Sequence, residues 1–542
     1  MKGGAFFALL CLLAKGIGAL YRIPLTNIMG AEGIGLYQMV FPLYSVLLTV
    51  SGGGLPSAIS KTVSSFHAKG EEENARRTLY ISLAALTAAG AVGSALLFFF
   101  RGRIAALQGN PDAAIAYVGI APAVVLVSVI SCFRGYFQGK LDMLPSGISQ
   151  VVEQVVKMIA GLFLCSRLLV YGVPYAALGA LLGVSVSELA ACVVLLVQYA
   201  FDARRRRKRT FVSLGSFATE AAEDFAMQRS EPMRYRTVLK RVVAIALPVT
   251  LGSLVMPLSS VIDSILVINL LTALGESVSV ATRYYGILNG PVGSLVNMPV
   301  VITTSLSVML LPKVARLVSE KKDAGECVER FMRICFLVAL VSSLALSLFS
   351  REILGVLYRR TLSPELLGIG SALLKISSLT VLYMSLLLPA SSVLQGCDKA
   401  YKPALNLLFG ASVKAVLTIV LIRIFGIIGA SIATVSCFAL TCILDVFAMR
   451  KVVDVRLSLS RIALSGGLGG AAFALSGKLL VRLFSTFLPA AVALVAALVV
   501  AALVYVAVIF LTKGIEKSEI FALSGGGKST EKKADKSKDP AA

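Results

Sequence analysis

The chain has 542 residues, 57% of them hydrophobic and only 15% charged, with a net charge of +23. Soluble domains average about 45–50% apolar and about 25% charged residues, so a soluble globular protein is excluded, as the mean hydropathy of +0.86 also indicates. Nine cysteines occur without a CxxC pair or metal-ligand spacing and read as small buried hydrophobes, while the single histidine, His67, reads as a solvated loop residue beside Glu71–Glu73.

Apolar windows of about 20 residues match a hydrocarbon core of about 30 Å. In chain order they predict spans at 4–28, 34–60, 78–100, 113–133, 146–166, 175–199, 242–269, 289–312, 334–350, 366–394, 403–422, 426–449, 462–477 and 488–512. The first carries Lys15 and Arg22 and has no small-residue cleavage site, so it reads as a retained helix. The expected fold is an all-α polytopic membrane protein of about fourteen transmembrane helices. With the N-terminus inside, 37 of the 52 basic residues fall in inner segments and 10 in outer loops, which places both termini in the cytoplasm.

The basic excess is therefore read as an insertion signal rather than as nucleic-acid binding, and no nucleic-acid module is visible. Arg204–Arg209 (RRRRKR) opens the 201–241 loop. It reads as a positive-inside stop signal or as a contact for anionic membrane lipids, worth about 1 kcal/mol per residue near the surface. The tail over 513–542, rich in Lys, Gly, Ser and Asp, reads as disordered.

The two halves repeat. FRGYFQGKLDMLP leads into a helix with Lys157, and SSVLQGCDKAYKP into one with Lys414; Gln138-Gly139 and Gln395-Gly396 precede these lysines by the same interval. Gly179-Ala180 matches Gly429-Ala430, and LPSAIS from Leu55 matches MPVVIT from Met298. Six helices separate equivalent positions, so the halves are parallel repeats of the kind between which secondary transporters place their site. The expected organisation is an N-terminal six-helix lobe (1–200), a basic cytoplasmic loop (201–241), a C-terminal six-helix lobe (242–450), two extra helices (451–512) and the tail.

A charge at mid-bilayer costs about 2.5–3.5 kcal/mol on insertion scales and needs a cavity or a partner. Lys15 and Arg22, seven apart, share a helix face. Glu153 and Lys157 stand at i,i+4 and form either a structural ion pair or part of a site. Arg134 and Lys61 end their spans, as cavity residues or as cytoplasmic anchors. Together the five basic residues outnumber Glu153 and Glu188, which suits an anionic substrate such as a pyrophosphate. Asp263 has no basic residue in its own span and is a candidate cation or proton site, unless a neighbouring helix supplies a partner. Gly52, Gly53, Gly54 and Pro56, with Pro257 and Pro299, mark places where helices bend.

The segment KGIGALYRIPLTNIMGAEGIGLYQMVFPLYSVLLTVSGGGLPSAISKTVS resembles the start of SpoVB-type polysaccharide exporters, as does VIDSILVINLLTALGESVSVATRYYGILNGPVGSLVNMPVVITTSLSVMLLPKVA. These belong to the multidrug/oligosaccharidyl-lipid/polysaccharide (MOP) exporter superfamily, with the MATE-like fold, which includes the MurJ-type lipid II flippases. The resemblance implies two lobes around a V-shaped cavity and an apolar groove for a lipid tail at the last two helices. It further implies a bacterial plasma-membrane location, no cofactor, and coupling to Na⁺, H⁺ or the membrane potential. Lys15 and Arg22 resemble the cavity-lining basic residues of the flippases. Those proteins carry an arginine after a tyrosine pair; here Arg283 precedes Tyr284-Tyr285. The implied function is a flippase for an undecaprenyl-pyrophosphate-linked saccharide, with a cation-coupled multidrug exporter of the same fold as the alternative. A glycan-joining membrane enzyme would need a sizeable outer domain, and the expected outer loops are short.

In a chain freed of its own cysteines, an impermeant thiol reagent added outside is expected to label cysteines placed near Gln108 and at Glu276. It should not label Glu220 or Lys322 positions, and labelling at 220 would reverse the topology.

Overall fold

The computed structural model describes residues 2–52, 54–216, 235–455, 459–512 and 514, and among them the regular structure is helical. The α-helices are α1 (Lys2–Gly52), α2 (Leu55–His67), α3 (Glu72–Leu107), α4 (Ala113–Gly139), α5 (Leu144–Leu168), α6 (Val173–Ser216), α7 (Tyr235–Ala273) and α8 (Val278–Ile287). They continue with α9 (Gly293–Ser319), α10 (Gly325–Leu348), α11 (Ser350–Leu357), α12 (Pro364–Gly396), α13 (Tyr401–Phe425), α14 (Ile427–Arg450), α15 (Leu459–Phe484) and α16 (Ala490–Leu511). The expected tail at 513–542 and most of the 201–241 loop beyond α6 lie outside the described residues, as does the hinge candidate Gly53.

Thirteen stretches among the described residues are long and apolar enough to cross a membrane, against about fourteen expected. The difference arises at the start, where the first two expected spans fall in one stretch, Leu10–His67, of 58 residues. A crossing needs about 20 residues, so this stretch far exceeds one. α1 is not continuous: Gly30 has φ 73° and ψ 178°, a conformation open to glycine and strained for any L side chain, and it falls between the two expected spans.

Contacts divide the chain into two units. The first comprises Met1–Ser294, Arg360–Leu366 and Ala411–Ala433. One of its cores joins Ile59, Val63 and Phe66 of α2 to Phe133 and Tyr136 of α4, Leu195 of α6 and Val242 of α7. Elsewhere in it, α5 and α6 meet through glycine. A Cβ on Gly183 would lie 2.3 Å from the Cα of Gly161, and one on Gly179 would lie 2.5 Å from the carbonyl of Leu164. Gly179 and Gly183 thus form a small-xxx-small contact, which lets backbones approach where lipid supplies no hydrophobic drive. The repeat recurs in this geometry: a Cβ on Gly429 would lie 2.3 Å from the carbonyl of Leu421, and Leu164 and Leu421 follow the repeated lysines by the same interval.

The positions expected to bend fall at a helix start and within helices. α1 ends at Gly52, and a Cβ on Gly54 would meet the Ala246 carbonyl of α7 at 2.4 Å, so the break before α2 is pressed against α7. Pro56 sits in the first turn of α2, where its missing N–H costs nothing. Pro257 lies within α7 and Pro299 within α9. Between α8 and α9 the chain makes a π turn at Leu288–Val292 containing Pro291.

The second unit comprises Leu295–Arg359, Leu367–Gly410 and Thr434–Ala542. Its core takes Leu310 and Val314 from α9, Phe331 from α10, Val393 and Leu394 from α12, and Met449 from α14. α15 packs on α10 and α16 through Gly466 and Gly469, and the Tyr505 hydroxyl donates to the Leu337 carbonyl at 2.8 Å. Leu475 and Leu503, 74% and 64% exposed, face outward as lipid-contacting side chains do.

Gln108 is only 2% exposed, so an outside label near it must be read at Leu107, which is 62% exposed. Gly183→Leu is expected to drive α5 from α6 and cost about 1–3 kcal/mol, an overpacking penalty, seen as a lowered melting temperature in detergent. Gly467→Leu, which enters open space, should melt as wild type.

Candidate functional site

Within the first unit, polar side chains from α1, α4, α5 and α6 gather within the predicted spans or, for Arg134, at the end of one. Arg134 of α4 is held twice by α5. Its Nε donates to Ser149 Oγ at 3.1 Å and its Nη2 to Glu153 Oε2 at 2.8 Å. Gln154 Nε2 donates to the other Glu153 oxygen at 2.9 Å. The two charged side chains are 19% and 15% exposed, so this is a largely desolvated pair. Removing one partner of such a pair costs about 3–5 kcal/mol, because the other charge is left uncompensated.

This arrangement corrects one expectation. Glu153 pairs with Arg134 across helices, not with Lys157 along its own helix. No ion pair of Lys157 is formed among the described residues. Lys157 instead stands within Coulombic range of Glu153, Glu188 and Arg22. Glu188, buried on α6, accepts from the Tyr44 hydroxyl of α1 at 3.3 Å. Arg22 is half-buried; its Nη1 donates to Ser294 Oγ at 3.4 Å, and its charge reaches the phenols of Tyr21 and Tyr37. The glycine contact between α5 and α6 is what brings Glu153, Lys157 and Glu188 into one neighbourhood.

The other candidates are placed differently. Lys15 is exposed on α1, one turn from Cys11, a thiol whose field includes both Lys15 and Arg134. Lys61 is exposed on α2, apart from this group. Arg283 is engaged by Glu32, with Nε and Nη2 donating to Oε2 at 3.1 and 3.0 Å, and belongs to another part of the unit. His67 ends α2 and hydrogen-bonds Glu72 rather than standing in free solvent.

The second correction concerns Asp263. It does not stand alone: Lys414 of α13 reaches it as a direct ion pair within the same unit, and both side chains are largely buried. The expected cation site already holds a tethered ammonium. Lys414 is also the repeat partner of Lys157. One repeated lysine is thus neutralised by contact, and the other is not.

Sequence reasoning missed a buried carboxylate in the second unit. Asp445 of α14 is 0% exposed, and it accepts from Ser391 Oγ at 2.6 Å and from Asn406 Nδ2 at 2.7 Å. It lies within a predicted span, so the rule that singled out Asp263 should have found it. Ser391 and Asn406 occupy the places that Arg134 and Ser149 hold in the first repeat, counted from the shared glutamines and lysines. The same polar locus is built on a cation in one repeat and on an anion in the other.

The fold and these residues have known relatives. A profile of the family described as "Polysaccharide biosynthesis protein" matches residues 1–318. Stage V sporulation protein B of Bacillus subtilis (strain 168) is 28% identical over 471 residues, 86% of each chain. The lipid II flippase MurJ of the same strain is 25% identical over 453 residues, 80% of this chain and 79% of the relative. A solved structure of lipid II flippase MurJ in an inward closed conformation superposes with a TM-score of 0.66 at 13% identity, covering 93% of this chain and 98% of that one. An inward-facing multidrug resistance MATE family transporter of the MOP superfamily gives 0.59 at 14% identity, covering 80% and 93%.

Asp263→Asn and Lys414→Met are each expected to lower the melting temperature in detergent by several degrees, since each strands a buried charge. The double variant should recover most of the loss. Single variants that melt as wild type would show that the pair contributes nothing.

Proposed function

We propose, for a chain that belongs to the polysaccharide biosynthesis protein family, an alternating-access flippase for an undecaprenyl-pyrophosphate-linked saccharide. The cargo is lipid II or a related cell-wall or polysaccharide precursor, and the site is the bacterial plasma membrane with both termini cytoplasmic. The observation that carries this reading is the charge balance around α5. Arg134 is consumed by Glu153, whereas Arg22 and Lys157 project into the same neighbourhood with no carboxylate in direct contact among the described residues. Cations held ready inside a membrane protein favour an anion, and a pyrophosphate offers oxygens to both an arginine fork and a lysine point charge. Lys15 extends this surface along α1.

The multidrug alternative draws on the shared fold. A pump for cationic compounds needs uncompensated acids. In the first unit, Glu153, Glu188 and Asp263 are held by Arg134, Tyr44 and Lys414.

Coupling to Na⁺, H⁺ or the membrane potential belongs to the same proposal, and we place it at Asp263. A cation reaches this carboxylate in a state where Lys414 has swung away, so the lysine and the ion compete for one site.

The test is headgroup translocation in proteoliposomes loaded with lipid II or another undecaprenyl-pyrophosphate-linked saccharide. Wild type should flip at least one of them, and Arg22→Ala, Lys15→Ala and Lys157→Ala should each slow flipping at least tenfold while still inserting. Arg22→Lys should retain part of the rate. Failure to flip any of them, with export of a cationic dye driven by an ion gradient, would replace this reading with the multidrug one.

A further inference from the structure

In the second unit, α14 and the first part of α13 leave a cleft of ≈ 310 Å³. Lys402, in the first turn of α13, and Lys451, just past the end of α14, both line it, so two cations stand at the same end of the helix pair. Below them the walls are apolar. Leu405 and Phe447 line the cleft and are 57% and 61% exposed, and Leu408 continues the exposed face of α13. Asn406 also lines it, fixed from behind by its hydrogen bond to the buried Asp445. Among the described residues no carboxylate lines the cleft.

This is a lipid-shaped pattern: charge at the membrane surface, hydrocarbon beneath it, and a rigid polar group at the junction. A soluble anion would use the lysines but gain nothing from Leu405 and Phe447. A wholly apolar partner would leave two ammonium groups without a counter-charge. By the bias of basic residues, this end faces the cytoplasmic leaflet, whose anionic lipids are drawn to basic clefts between spanning helices.

We propose that this cleft binds one acidic phospholipid of the inner leaflet. Its phosphate lies between Lys402 and Lys451, and its acyl chain lies along Leu405, Leu408 and Phe447.

The chain contains no tryptophan, so Phe447→Trp installs a single reporter in the cleft wall. Full-length protein carrying it is reconstituted in phosphatidylcholine vesicles containing a small fraction of brominated phosphatidylglycerol, or the same fraction of brominated phosphatidylcholine. The brominated phosphatidylglycerol is expected to quench at least fivefold more effectively. Adding Lys402→Gln and Lys451→Gln should abolish that preference without changing the melting temperature, whereas Arg22→Ala should leave it intact. Inorganic phosphate at millimolar concentration should not restore fluorescence. Equal quenching by the two lipids would overturn the proposal. So would a preference that survives loss of both lysines, or displacement by phosphate alone, which would make the cleft a site for a free anion.

Discussion

A charge placed in hydrocarbon must find an opposite charge, a dipole or water, and most of what is distinctive in this chain follows from how its few intramembrane charges do so. Arg134 finds Glu153 and Ser149. Asp263 finds Lys414, Glu188 finds a tyrosine hydroxyl, and Asp445 finds a serine and an asparagine. Each solution joins different helices, so the ion pairs also fix helix register. An uncompensated charge would cost more than any single packing contact could return. Against that background Arg22 and Lys157 stand out, because their neighbourhood contains charges without a direct salt bridge to either.

Close helix approach is the second constraint, and it serves the first. The Gly161–Gly183 contact lets α5 and α6 touch backbone to backbone, close enough for side chains of modest length on one to influence the other. The scaffold is repeated in part: the contact of Gly179 with Leu164 has a counterpart at Gly429 and Leu421, whereas Gly161 and Gly183 fall at Thr418 and Ala433 in the second half. The polar groups mounted on it then diverged: Arg134 and Ser149 in one copy correspond to Ser391 and Asn406 in the other, with the sign of the central charge reversed. At this locus the two halves share a helix framework and differ in electrostatics.

How much was legible in the sequence depended on the range of the interaction involved. Spans were legible because hydropathy is local and the bilayer imposes its length. The repeat was legible because Gln-Gly and Lys recur at fixed intervals. Charge partners were not, since Asp263 and Lys414 are 151 residues apart and no periodicity connects them. The i,i+4 spacing of Glu153 and Lys157 pointed to a pair, but Arg134 offered a bidentate-capable fork already oriented by Ser149. Two spans that composition separated at 28–34 became one long element, because Gly30 breaks the helix at a single residue and leaves no loop to detect.

The π turn between α8 and α9 has a consequence for how the site is aimed. There Gly293 N–H reaches back to the Leu288 carbonyl, so the Asn289 carbonyl is passed over, and Gln38 Nε2 donates to it at 2.7 Å. A π turn holds one residue more than an α turn, which rotates everything beyond it by about 100° relative to an uninterrupted helix. Ser294, the partner of Arg22, comes directly after that rotation. The extra residue thus works as an angular offset written into the chain. Losing one residue there would preserve the apolar length and the spanning helix, yet turn Ser294 away from Arg22, a lesion that hydropathy would never reveal.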